Sequence, residues 1–245
     1  MNPAATAPGD PPAPAALPWS TIQTVLLDMD GTLLDLHFDN TFFRETVPRA
    51  LAQQRAIPLA EARCLLQETY RAVEGTLAWY DLDHWSRVLG MDIPLLKEEV
   101  AHLIQLHPHT LTFLQRLQQM GKRTHLVTNA HARSLTLKLQ RTPIGAYFDS
   151  VVSSHELGRP KEDAGFWPLL QARLGFERPT TLLVDDSEPV LQAARRFDLG
   201  FLRHIAAPSS GQPPTPSRHF DSVPDLGALL PELYGIFVDN GGVRT

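Results

Sequence analysis

The chain has a single cysteine, Cys64, so no intrachain disulfide can form. It has no apolar run near the ~18 to 20 residues that a membrane span needs. Its first basic residue is Arg44, so the amino-terminal segment lacks the positive region of a signal peptide. Together these absences lead us to expect a reducing, cytoplasmic setting. A net charge of −5 without any Lys/Arg cluster leaves no electrostatic footprint for a nucleic-acid polymer. The ten histidines include no HExxH or other metal-binding spacing, and His107 and His109, which flank a proline, read as structural. Cys64 falls in an amphipathic stretch from Pro58 to Val73 and reads as a small buried apolar residue.

What is present is a hydrophobic content of 43% in 245 residues, enough for one good core or a core with a small accessory domain. The most informative stretch is Thr24-Val25-Leu26-Leu27-Asp28-Met29-Asp30-Gly31-Thr32-Leu33. An apolar run ending in Asp-x-Asp and a glycine turn reads as a buried parallel strand delivering two carboxylates to its carboxyl end. Open α/β sheets bind ligands at that end. Two carboxylates so close repel, unless a cation neutralises them or one stays protonated. A hard divalent cation in a phosphate-handling site is the natural partner. A solvated turn can also carry Asp-x-Asp. A calcium-binding EF-hand loop is excluded, because it needs Gly at its sixth position and Glu at its twelfth, whereas Gly31 is fourth and Asp39 twelfth counting from Asp28.

Residues 1–18, rich in Pro, Ala and Gly, cannot bury enough apolar surface to order, and read as a disordered tail. From 38 to 107 there are only helical patterns, broken at Pro48, Pro58, Gly90 and Pro94, with Leu65, Leu66 and Val73 at helical spacing. This suggests an inserted all-helical bundle. Residues 19–37 and 108–245 form the α/β core, a doubly wound parallel sheet with helices on both faces. Its units are a helix beginning at Thr110 as N-cap and stopping at Gly121, strands at Thr124–Asn129, Phe148–Ser153, Thr181–Val184 and Gly200–His204, and helices bearing Leu135, Phe166 and Pro189. A closing helix is expected from Pro224 to Leu233.

Three successive apolar strands end in polar groups: Asp28/Asp30, Thr128/Asn129 and Asp185/Asp186. If the strands are parallel, all three sets share one edge. Lys161 lies between the last two and would balance the carboxylates.

This set of motifs resembles the haloacid-dehalogenase-like hydrolases, over the whole ordered chain, with the helical insert where that family carries its cap. The resemblance implies that Asp28 is a nucleophile forming an aspartyl-phosphate and Asp30 a general acid/base. It implies that Lys161 holds Asp28 and the phosphate, and that Thr128, Asn129, Met29 and Asp30 bind the phosphoryl group. It further implies a Mg²⁺ held by Asp28, Asp30 and Asp186, with Asp185 acting through water. The chemistry agrees: a carboxylate can split hydrolysis into two easier steps, and a poor leaving alkoxide needs a proton. Dehalogenases of the family, which attack carbon, generally lack a carboxylate at the Asp30 position.

Leu34 to Asn40, Leu77 to Trp85, Pro160 to Asp163, Thr128 to His131 and Val184 to Glu188 also resemble the nucleotidases of the family that act on GMP and IMP. That resemblance implies a small-molecule partner, a purine 5′-nucleotide with a 6-oxo group. His37, Asn40, Arg44 and Trp79 are then candidate substrate contacts, although Trp79, Tyr80 and Trp85 read first as the core of the bundle and His37, Asn40 and Arg44 fit a solvated or structural role equally well. A phosphatase for another small phosphate, or a catalytically silent nucleotide-binding module, remains the alternative.

Overall fold

The computed structural model of the chain describes residues 15–230. Most of the expected tail, and the last residues of the expected closing helix, lie outside this range. Within it, Leu17 already packs against the core and the Ala15 carbonyl accepts from Arg203 Nη2 at 2.6 Å, so the chain is held by the core before Trp19.

Six strands form one parallel sheet in the order β3-β2-β1-β4-β5-β6. They are β1 (Thr24–Leu27), β2 (Arg123–Thr128), β3 (Ser150–Ser153), β4 (Thr181–Asp185), β5 (Phe201–Ile205) and β6 (Ser222–Val223). In this order β1 lies between β2 and β4, with Leu27 paired to Leu126 on one side and Val184 on the other. Strand alternation divides the apolar residues between two faces. Val25, Leu27, Leu126, Leu182 and Val184 pack on Phe113, Leu114 and Leu117. Leu26, Val127, Val152 and Leu183 pack on Phe166, Trp167, Leu170, Val190 and Leu191. A sheet covered on both faces explains why its central strands β1 and β4 read as near-continuous apolar runs.

Between β1 and β2 the chain is helical: α1 (His37–Thr41), a π-helical turn (Phe42–Thr46), α2 (Val47–Arg55), α3 (Leu59–Arg71), α4 (Leu77–Tyr80), α5 (Leu82–Leu89) and α6 (Ile93–Glu99). These helices bury their own apolar cluster, including Phe42, Leu51, Leu66, Leu82, Trp85 and Ile93, which shares no member with the two sheet clusters. Asp81 caps α5 by accepting from the Asp83 and His84 amides at 2.8 and 3.0 Å, and Gly90 ends it at φ 67°.

The core helices are α7 (Thr110–Gln119), α8 (Ala132–Arg141), α9 (Ser154–Leu157), α10 (Phe166–Leu174) and α11 (Glu188–Arg196). Four local expectations are corrected. His109 caps α7, and Thr110 is its first helical residue, its hydroxyl donating to the Leu33 carbonyl at 3.0 Å. In place of a closing helix over its described part there is a 3₁₀ turn, Leu226–Leu229, preceded by β6. Cys64 is exposed, because Ala62 and Leu66 supply the buried stripe of α3. Leu65 is exposed for the same reason.

Candidate active site

The carboxyl ends of β1, β2 and β4 converge on one edge of the sheet. Asp28 follows β1 directly, its amide donating to the Val184 carbonyl at 3.1 Å. The turn after it is closed by the Leu33 and Leu34 amides on the Met29 carbonyl and by Gly31 N on Leu34 O at 2.7 Å. Gly31 sits at φ +87°, and a Cβ there would lie 2.6 Å from Asp186 Oδ2 and 2.9 Å from Pro208 Cβ. Glycine therefore serves both the turn and the close approach of the β4 carboxylate.

Lys161 is the hub. Its ammonium donates to Asp28 Oδ1, to Asp185 Oδ2 at 2.7 Å and to the Val127 carbonyl at 3.2 Å. Its backbone is fixed as well: Lys161 N donates to Asn129 Oδ1 at 2.9 Å, and its carbonyl accepts from Trp167 Nε1 at 3.0 Å. Asn129 Nδ2 donates to Glu162 Oε2 at 2.9 Å, so both ends of this amide fasten the Lys161 loop. Thr128, 1% exposed, accepts the Ala130 amide on Oγ1, which leaves its own hydroxyl proton to donate into the cavity it lines.

Asp28, Asp185 and Asp186 each offer an oxygen within 4.8 Å of the others. Burial raises the Asp28 carboxyl to about 6, with Lys161 opposing and Asp185 adding to the rise. Burial and then the neighbouring carboxylates push Asp186 well above its ordinary range. Three carboxylates beside one ammonium, Asp28 and Asp185 buried and Asp186 half-buried, fit a hard divalent cation such as Mg²⁺. Asp30 stands apart from this trio. Its Oδ1 accepts from Lys138 Nζ at 2.6 Å, and burial raises its carboxyl to about 6 against the pull of Lys138.

Above the carboxylates lies a cavity of about 410 Å³, within the range of small-molecule sites. Asp28, Asp30, Thr128 and Lys161 line it from the sheet; Asn40, Arg44 and Trp79 line it from the helical segment. His37 is not among the residues that line it; it is exposed, and its amide donates to Asp35 Oδ1 at 2.8 Å. Trp85 is buried in the helical core, with its indole N–H on the Trp79 carbonyl at 2.9 Å. Tyr80 reaches across to the sheet, its hydroxyl donating to Glu162 Oε1 at 2.5 Å.

A conserved-sequence model described as "Hydrolase: haloacid dehalogenase-like hydrolase" matches residues 22–198, which hold every motif just described. The chain belongs to the haloacid dehalogenase-like hydrolases. It is 38% identical over 215 residues to the GMP/IMP nucleotidase YrfG of Escherichia coli (strain K12), covering 88% of this chain and 97% of that protein. It is 27% identical over 189 residues to the phosphoglycolate phosphatase of Rhodobacter capsulatus, covering 73% and 82% of the two chains. Among solved structures, the HAD phosphatase from Thermococcus onnurineus superposes with a TM-score of 0.70 at 23% identity, covering 85% of this chain and 96% of that one, and shares its fold.

Sequence reasoning missed Asp39, Lys97 and Lys138 as site residues. Asp39 accepts from Lys138 at 2.7 Å and from Lys97 at 2.7 Å, and both lysines are buried. A helical lysine carries no sequence signal of burial, and the partners of Lys138 lie 99 and 108 positions away.

Proposed function

We propose that this chain is a Mg²⁺-dependent phosphomonoesterase that hydrolyses 6-oxo purine 5′-nucleotides, GMP and IMP, to nucleoside and phosphate. The observation that carries the reading is the Lys161 clamp on Asp28 and Asp185 at the floor of a cavity walled by the helical segment. The substrate rests on the E. coli relative and on the cavity's aromatic and polar wall.

In the first step an Asp28 oxygen bonds to phosphorus as the bond to the nucleoside oxygen breaks, and Asp30 gives its proton to that leaving oxygen. Lys161 and the Thr128 hydroxyl offset the charge on the phosphoryl oxygens. In the second step Asp30, now ionised, takes a proton from water, which attacks phosphorus, releases phosphate and restores Asp28. Asp28, Asp185 and Asp186 would hold Mg²⁺, which would supply the countercharge that lets one anion approach another. Residues 38–107 act as the cap, with Trp79 against the base, Asn40 and Arg44 offering donors to it, and Tyr80 tied to the Lys161 loop through Glu162.

Phosphate release from GMP, IMP, AMP, CMP, UMP and sugar phosphates, with Mg²⁺ or EDTA, tests this. The expected result is Mg²⁺-dependent turnover at least about tenfold faster, in kcat/KM, on GMP and IMP than on AMP, the discrimination a site gains by hydrogen-bonding a substrate oxygen. Turnover centred on another phosphate refutes the base assignment and keeps the chemistry; no turnover refutes both.

A further inference from the structure

The two-step chemistry uses Asp30 but leaves a line of buried charge behind it unexplained. Lys138 Nζ donates to Asp30 Oδ1 at 2.6 Å and to Asp39 Oδ2 at 2.7 Å, and Lys97 Nζ donates to Asp39 Oδ1 at 2.7 Å. Lys138 is 1% exposed and Lys97 3%. The Phe38 ring lies 5.4 Å from Lys138 Nζ and 5.2 Å from Lys97 Nζ, within cation–π range. Asp39 sits on α1, where the chain enters the helical segment; Lys97 is on α6, near its exit; Lys138 is on α8, over the sheet.

Buried ion pairs are a poor way to hold helices together, since apolar packing serves as well without desolvating charge. What such a line does supply is orientation. Asp30 is only two residues from Asp28, yet it is absent from the trio whose oxygens lie within 4.8 Å of one another. Its carboxylate is drawn to the side of the helical segment, where the departing half of a substrate must lie if Asp28 attacks from the sheet. Asp39 in turn fixes Lys138, and Lys97 fixes Asp39.

We propose that Lys138 is a positioning residue: anchored on Asp39, it draws the Asp30 carboxyl out of the acidic trio and presents it to the leaving oxygen. This rests on the reading of Asp30 as proton donor. As the bond from phosphorus to the leaving oxygen breaks, the Asp30 proton passes to that oxygen, and the carboxylate left behind is paired with the Lys138 ammonium.

A leaving-group series separates positioning from structure. Phenyl phosphate releases a basic oxygen that needs the proton, whereas 4-nitrophenyl phosphate, similar in shape, does not. The ratio kcat/KM covers the steps through release of the alcohol. Lys138→Met is expected to lower it by roughly 10²-fold on phenyl phosphate, the low end of what a placed acid contributes, and little on 4-nitrophenyl phosphate. Lys138→Arg, which keeps the charge, should recover part of the loss. An equal fall on both substrates overturns the proposal. Asp30→Asn, run alongside, isolates the premise. If it too slows both equally, the proton-donor reading has failed; if it is selective and Lys138→Met is not, only the positioning role has. Should Lys138→Met not fold, the charge-balanced double variant Lys138→Met/Asp39→Asn takes its place in the same series. A loss confined to phenyl phosphate then supports the positioning role, and an equal loss on both substrates overturns it.

Discussion

Two groups of buried charge sit side by side in this molecule, and they are balanced differently. Around Asp28, three carboxylates (Asp28, Asp185, Asp186) face one ammonium, Lys161, an excess of two negative charges. Around Asp39, two carboxylates (Asp30, Asp39) face two ammonium groups, Lys97 and Lys138, and nothing is left over. A dication would balance the first group. The second is complete as it stands, and its product is a direction for Asp30. Burial raises the carboxyls of the first group, and raises Asp30 in the second to about 6, but at Asp39 Lys138 and Lys97 together outweigh burial and hold the carboxyl down at about 2.

The largest test of this contrast is Lys161→Met. Removing the one cation of the unbalanced group leaves three carboxylates facing each other. Chemical denaturation without Mg²⁺ should show a loss of about 3–5 kcal/mol, the usual cost of orphaning a buried charge. Turnover should fall with it, by roughly 10²-fold or more, as an electrostatic stabiliser of the phosphoryl group is lost. A variant as stable and active as the parent would mean that the trio is not under-neutralised.

A smaller effect comes from pH. With Asp28 and Asp30 raised to about 6, the folded chain binds protons more tightly than the unfolded chain between roughly pH 4 and 6. Stability without cation therefore falls as pH rises through that window. Asp39 has the opposite sign: its stabilisation is present above roughly pH 4 and is lost as pH falls toward 2. Melting temperature against pH should peak between these limits in EDTA. Saturating Mg²⁺ should raise it by roughly 5–10 °C at pH 7, and far less at pH 4, below the raised value of about 6 at Asp28. A shift of equal size at both values would contradict the assignment of the cation to these carboxylates.

Much of this was legible in the sequence. Strands β1 and β4, buried on both faces, appear as near-continuous apolar runs, β2 carries only Leu126 and Val127 between polar residues, and each hands its polar residues to the same edge because the sheet is parallel. Asp28, Thr128 and Asp186 accordingly meet at that edge, and Lys161, whose place the family resemblance implied, joins them. The helical character of 38–107 was legible from its breakers and periodicity. The Asp39 line was not, because Lys97 and Lys138 occupy helices where lysine ordinarily faces solvent, and only tertiary packing buries them. β6 is two residues long and pairs only with β5, too short to leave a pattern. That Asn129 braces the Lys161 loop was not legible either, because its partners lie 32 and 33 positions away.

The central claim is that Asp28 carries the phosphoryl group between the two steps. It is tested most directly by acid-quenching the Asp30→Asn variant during reaction with 4-nitrophenyl phosphate and Mg²⁺, a substrate whose leaving oxygen needs no proton from Asp30, and mapping its peptides by mass spectrometry. Without its base the second step should stall, and a phosphoryl group should appear on the peptide containing Asp28, in proportion to the 4-nitrophenol released. Release of 4-nitrophenol with that peptide unmodified, or with the phosphoryl group on another residue, would contradict the account.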